Sequence, residues 1–237
     1  MMVGRNGVLL LAGVLACSVA VFPAQAPSSA GTGAVAGLHY FDRNADGAWQ
    51  PVEPGGGSAV GLYRMDGGRV ATVGTEPGGE YLIEDVAPGR YRVGINPVGY
   101  QLTTASEVVV DVVAGATSRA DFGKLGADIT GVTWHDRNAD GQRQADEPLL
   151  GDIRFWIGRW GGGTDATGHY ALANQGTGTY PLRFVAPEGI RFSPKNAGAP
   201  ATDSDADPST GIATAVVALT DGRINQVPNL DIGLVAE

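Results

Sequence analysis

Along most of the chain, apolar residues recur at every second position in short runs, each closed by glycine, proline or aspartate. A period of two marks a strand with one buried face. In the run from Gly151 to Ile157, Ile153, Phe155 and Ile157 share a face and Trp156 takes the other. In the run from Arg90 to Ile95, Tyr91, Val93 and Ile95 point inward and both arginines outward. Val108 to Val113 and Ala213 to Leu219 read as further strands, and Asp66-Gly67-Gly68 and Asp221-Gly222 as hairpin turns. No stretch long enough for a helix carries a 3.6-residue apolar stripe. The pattern predicts an all-β protein of packed antiparallel sheets in Greek-key order.

The pattern occurs twice. Gly37-Leu38-His39-Tyr40-Phe41-Asp42-Arg43-Asn44-Ala45-Asp46-Gly47 returns 94 residues later as Gly131-Val132-Thr133-Trp134-His135-Asp136-Arg137-Asn138-Ala139-Asp140-Gly141. Glu53-Pro54 returns as Glu147-Pro148, Gly79-Glu80-Tyr81 as Gly168-His169-Tyr170, and Gly89-Arg90-Tyr91 as Gly178-Thr179-Tyr180. Order is kept while spacing drifts, as in a duplicated domain. The expected units are 34–126 and 127–237, joined by the short segment Gly123 to Ala127.

Composition narrows the function. A formal net charge of −9 excludes a nucleic-acid partner, whose phosphates need a basic face. A single cysteine, Cys17, excludes a disulfide framework. Residues 1–26 read as a signal peptide: Arg5, an apolar run from Val8 to Phe22, then Ala24-Gln25-Ala26. Residues 27–33 form a flexible leader. An alternative makes Cys17 a lipid anchor through the lipobox-like Val14-Leu15-Ala16-Cys17. No other apolar run approaches the length of a membrane span. The expectation is a secreted, extracellular monomer with no transmembrane segment.

Two loops carry the chemistry. Asp42 to Glu53 and Asp136 to Glu147 both fit the calcium-loop pattern D-x-[DN]-x-[DN]-G-x5-E at every position. A hard cation needs six to eight oxygens gathered from one short segment. Asp42, Asn44, Asp46 and Glu53 would give side-chain oxygens and Ala48 its carbonyl; Asp136, Asn138, Asp140, Glu147 and the Gln142 carbonyl repeat the set. The competing reading is an ordinary Asp/Asn/Gly turn, which two full matches at equivalent places weaken. Strands flank the loops in place of the helices of an EF-hand, so the expected cofactor is a structural Ca2+. Asp203, Asp205 and Asp207 offer a further candidate site, or a solvated acidic loop.

Gly-x-x-Trp-x-Asp-x-Asn-x-Asp-Gly-x5-Glu, then G-x-Y, P-x-G, an Asp-Ser-Asp loop and a closing Asp231-Ile232-Gly233-Leu234, resembles the B-type domain of serine–aspartate repeat surface proteins, a relative of the collagen-adhesin B domain. The first unit fits in degenerate form, with Tyr40 for the tryptophan and no Asp-Ser-Asp loop. The resemblance implies two tandem immunoglobulin-like or prealbumin-like sandwiches with calcium loops. It also implies a structural or adhesive role at a bacterial surface, and ligand roles for Asp203, Asp205 and Asp207. Some relatives carry a lysine–asparagine isopeptide bond. Here the lysines are Lys124, placed in the joint, and Lys195 in a late loop, so no such bond is expected. With no serine–aspartate tract or sorting signal in the sequence, covalent wall anchoring is not expected either.

No nucleophile–base constellation is visible, so catalysis is not expected and a hydrolase is the least favoured class. His39, His135 and His169 lack metal-ligand spacing. The alternative to a spacer is a carbohydrate- or ligand-binding module using Trp156 and Trp160, unless those rings merely pack on each other. The partner would be an extracellular protein or glycan.

Overall fold

Alternating runs become strands in the computed structural model, which describes residues 31–220 and 222–236. The signal segment 1–26 with Cys17, leader residues 27–30 and Asp221 lie outside the described residues. Among the described residues no helix forms, and so none is long and apolar enough to cross a membrane.

The first repeat supplies β1 (Gly33–Phe41), β2 (Ala59–Arg64), β3 (Arg69–Gly74), β4 (Glu80–Val86), β5 (Gly89–Ile95), β6 (Glu107–Val112), β7 (Thr117–Arg119) and β8 (Phe122–Lys124). The second supplies β9 (Ala127–His135), β10 (Arg154–Ile157), β11 (Trp160–Gly163), β12 (His169–Gln175), β13 (Gly178–Phe184), β14 (Ile190–Phe192), β15 (Ile212–Val217), β16 (Leu219–Thr220), β17 (Arg223–Ile224) and β18 (Ile232–Ala236). One sheet of the first sandwich centres on β1, antiparallel to β4 and parallel to β7 and β8; the other runs β3-β2-β5-β6. In the second sandwich β9 lies between antiparallel β12 and parallel β18, with β14 beyond, and the facing sheet runs β11-β10-β13-β15. The chain crosses from sheet to sheet as it proceeds, which gives the Greek-key order.

The alternating apolar residues fill the space between each pair of sheets. Val35, Ile83 and Phe122 meet Leu62, Val93 and Val110 in the first core; Ile129, Tyr170 and Ile232 meet Phe155, Leu182 and Ala213 in the second. The motif aromatics are central: Tyr40 and Trp134 are fully buried, each across the ladder from a glycine, Gly123 or Gly233. A Cβ on either glycine would come within 2.8 Å of the ring, so the closing Asp-x-Gly is a seat for the aromatic. The repeated Gly-x-Tyr also has a physical role. The hydroxyls of Tyr91 and Tyr180 donate to the carbonyls four residues upstream, of Ala87 and Gly176, at 2.9 and 2.7 Å. Those of Tyr81 and Tyr170 donate across the core to Ala120 and Leu230.

The joint is tighter than the sequence suggests. Lys124, expected in a linker, belongs to β8 and is buried; only Leu125 and Gly126 separate β8 from β9. Its ammonium lies 4.4 Å from the Phe41 ring centre and 4.1 Å from that of Tyr100. The Pro97 to Tyr100 turn of the first sandwich docks on the β12–β13 turn of the second. Gly99 accepts from the Thr177 amide at 3.1 Å, and the Tyr100 hydroxyl donates to the Asn174 carbonyl at 3.2 Å.

Candidate functional site

Each acidic loop starts where the first strand of its sandwich ends. Asp42 follows β1 and Asp136 follows β9, and both are 0% exposed. The two loops share one backbone path, with φ of 59° and 77° at Ala45 and Gly47 and 60° and 77° at Ala139 and Gly141. Left-handed φ at position 6 is the sharp bend that glycine permits. The bend aims amides inward. Asp42 accepts from the Asp46 and Gly47 amides at 3.2 and 2.8 Å, and Asp136 accepts from Asp140 and Gly141 at 3.3 and 2.9 Å. Glu53, buried at the end of its loop, accepts from the amides of Arg43 (2.8 Å) and Gln50 (3.0 Å). Glu147 does the same with Arg137 and Gln144 at 2.7 and 3.0 Å. Asp46 takes hydrogen bonds from the Ala48 amide and from the side-chain amides of Asn44 and Gln50, which hold its carboxyl below the usual range. Asp140 is held down likewise by the Gln142 amide, Asn138 and Gln144.

Each loop thus buries two carboxylates, and among the described residues no lysine or arginine forms an ion pair with them. Burying such a charge without a counter-charge is costly, and amide hydrogen bonds offset only part of the cost. The donors are all oxygens, the chemistry of a hard cation. Among the described residues no three His, Cys, Asp or Glu side chains gather at metal-binding separation. Asp42, Glu53, Asp136 and Glu147 take one amide hydrogen bond on each oxygen, which leaves a lone pair free on each, whereas Oδ2 of Asp46 and of Asp140 accepts two side-chain amides.

The Asp203 to Asp207 segment divides. Its first part lies against the second loop: Ser204 donates its amide to the Gly141 carbonyl at 3.0 Å, and Arg143 donates to Thr202 at 2.7 Å. Asp203 is buried, with one oxygen unpartnered. Asp205 and Asp231 exchange hydrogen bonds: the Asp205 amide reaches the Asp231 carbonyl at 2.7 Å, and the Asp231 amide reaches the Asp205 carboxylate at 2.9 Å. Burial, with Asp203 and Asp231 nearby, pushes the Asp205 carboxyl up to about 6. Burial also raises Asp231, against the Val132 amide and the Arg143 guanidinium at 3.5 Å. Asp207 belongs elsewhere. It accepts from the amides and hydroxyls of Ser209 and Thr210, which lower its carboxyl to about 2. The structure therefore groups Asp203, Asp205 and Asp231 and leaves Asp207 as a turn cap. Asp231 was not among the expected ligands, although its closing motif recurs as Asp121-Phe122-Gly123. Asp121 and Asp231 accept from equivalent amides, those of Leu38 and Val132, at 2.8 and 2.9 Å.

The two tryptophans separate as well. Trp156 stands outward and is 47% exposed, whereas Trp160 (83% exposed) is the cross-strand partner of inward-facing Ile157 and so shares the opposite face. They do not form one platform.

The family model for the SdrD B-like domain matches residues 34–120 and 127–234. Serine-aspartate repeat-containing protein F of Staphylococcus epidermidis is 26% identical over 218 residues, covering 82% of this chain and 13% of that protein. Serine-aspartate repeat-containing protein D of Staphylococcus aureus strain Newman is 26% identical over 221 residues, covering 82% and 17%. Colossin-A of Dictyostelium discoideum is 27% identical over 177 residues, covering 64% and 2%. The chain thus spans under a fifth of each of these relatives. Among solved structures, shaft pilin SpaA from Lactobacillus rhamnosus GG aligns with a TM-score of 0.44 at 12% identity, over 87% of this chain and 98% of that one. The minor pilin GBS52 of Streptococcus agalactiae aligns at 0.34 and 12%, over 86% and 95%. The two segments matched by the family model cover most of the sequence and coincide with the two sandwiches: the chain belongs to the SdrD B-like domain family, whose domain it carries twice.

Proposed function

We propose that the chain is an exported, non-catalytic structural and adhesive element whose two sandwiches are each stapled by calcium at the loop after the first strand. The observation that carries this reading is the duplicated loop, which twice buries an Asp and a Glu on one backbone path with no basic ion-pair partner among the described residues. Asp42, Asn44, Asp46, the Ala48 carbonyl and Glu53 would hold one ion, and Asp136, Asn138, Asp140, the Gln142 carbonyl and Glu147 the other. Asp203, Asp205 and Asp231 are neighbours in the second sandwich and a third candidate set, one whose carboxylates an ion would have to draw together. A bound cation supplies the counter-charge that the folded loops lack, so its binding energy adds to folding energy. Extracellular modules bind calcium at roughly 10⁻⁴–10⁻³ M, a range suited to an exported protein. Family membership and the absence of a nucleophile–base pair from the sequence support a role without catalysis.

Thermal unfolding of the wild type and Asp136→Ala, each with calcium and with a chelator, tests this. Calcium should raise the melting temperature of the wild type, and Asp136→Ala should lose much of that gain. Equal melting temperatures in all four samples would overturn it.

A further inference from the structure

The corresponding outer faces of the two sandwiches differ in how their β-strand arginines are paired. On the outer face of the β3-β2-β5-β6 sheet the two β5 arginines are matched by acids, Arg90 lying 3.8 Å from Asp111 and Arg92 3.3 Å from Glu107, and Arg69 at the β3 edge is left without an ion pair among the described residues. In the second sandwich the corresponding strand β15 turns Thr214 and Val216 to that face. Arg154 and Arg183 stand there with no carboxylate at ion-pair distance among the described residues. In a chain with a net charge of −9, this is a local reversal of sign.

Trp156 stands beside both arginines, two residues from Arg154 on β10 and directly across the ladder from Arg183 on β13. Its other cross-strand neighbour is Gly161, where a Cβ would come within 2.8 Å of the indole. The ring therefore lies against bare backbone and keeps a broad face open, nearly half exposed. A cleft of about 620 Å3, bordered by Pro181, Arg183 and Thr210, adjoins it on one side, and one of about 470 Å3, bordered by Asp152 and Arg154, on the other.

We propose that this face binds an acidic polysaccharide, with a pyranose ring on Trp156 and its carboxylates on Arg154 and Arg183. The apolar C–H face of a sugar packs on an exposed indole backed by glycine. The planar guanidinium matches a carboxylate in bidentate geometry. Charge complementarity selects an anionic over a neutral glycan, and the ring selects a saccharide over an acidic peptide. The proposal stands apart from the calcium reading, because none of these residues belongs to the acidic loops.

The test is titration of the full chain with trigalacturonic acid, followed by tryptophan fluorescence and calorimetry, with maltotriose and triglutamate as controls. Trigalacturonic acid should bind, weakening as salt is raised, and bind at least tenfold more tightly than either control. Trp156→Ala, and separately Arg154→Gln with Arg183→Gln, should each lower affinity at least tenfold with melting temperature unchanged. Trp160→Ala should leave it intact, because Trp160 lies on the other face. Absent binding, equal binding of maltotriose or triglutamate, or full affinity in the Trp156 variant would each overturn the proposal.

Discussion

The guanidinium of Arg43 meets the carboxylate of Asp128 at 2.7 Å, the one ion pair among the described residues that joins the two sandwiches. Arg43 is the second residue of the first acidic loop, and its other amino group donates to Asn174 at 2.8 Å. Asp128 in turn accepts the Asn174 amide at 2.9 Å. A residue flanked by two candidate calcium ligands thus clamps the neighbouring sandwich. Arg43→Ala should cost no more than about 1 kcal/mol of stability, since both side chains are partly exposed. It should, however, broaden the relative orientation of the sandwiches, read as diverging alignment tensors in residual dipolar couplings. Unchanged tensors would show that the Gly99 and Tyr100 contacts alone set the orientation.

The two kinds of motif tyrosine should differ in what they contribute. Tyr180→Phe removes a half-buried hydrogen bond and should cost about 1 kcal/mol. Tyr170→Phe strands a buried carbonyl at Leu230 and should cost about 1–3 kcal/mol. Urea midpoints measured at saturating calcium decide this; equal losses would contradict the difference in burial.

His39 and Lys124 give the first sandwich its own pH dependence. Burial, and then the charge of Lys124, lower His39 to about 4, against a bond to the Gly56 carbonyl. The unfolded chain therefore takes up the proton first, and stability is lost as pH falls from 6.5 towards 4, by up to about 3 kcal/mol. Burial lowers Lys124 to about 8, so stability rises as pH climbs from 8 towards 10.5. In the second sandwich the equivalent positions are Thr133 and Leu234. His39→Thr should flatten the acid limb and Lys124→Leu the alkaline one in pH-dependent unfolding at fixed calcium. Limbs that persist in these variants would assign the dependence to other groups.

Asp205 and Asp207 should respond in opposite ways to neutralisation. Asp205→Asn removes a charge crowded by burial, Asp203 and Asp231, so it should raise stability in chelator and weaken calcium binding by the second sandwich. Asp207→Asn weakens a turn cap and should lower the melting temperature while leaving the calcium isotherm unchanged. Calorimetric titration separates the two; a calcium defect in the Asp207 variant would return that residue to the ligand set.

The all-β class, the duplication and the acidic loops were legible because each rests on local periodicity or on a short contiguous motif. Tyr91, Val93 and Phe155 face inward as alternation requires. What stayed hidden depends on register and on distant segments. Whether Trp160 joins Trp156 is decided by the pairing of β10 with β11, and its side relative to Ile157 follows from a turn length that alternation does not fix. Asp231 meets Asp205 across 26 residues of chain. Lys124 read as linker because Gly123 and Gly126 on either side of it mask a three-residue strand whose burial comes from β1 and Tyr100.

The parallel pairing of β9 with β18, and of β1 with β7 and β8, has a mechanical consequence. The opening and closing strands of each sandwich run side by side in the same direction, so tension drawing its two ends apart slides one strand along the other. Every ladder hydrogen bond between them is then strained at once, whereas an antiparallel pair pulled from one end opens bond by bond. The connectivity that seats Trp134 on Gly233 and Tyr40 on Gly123 therefore also makes each sandwich resist extension by shear.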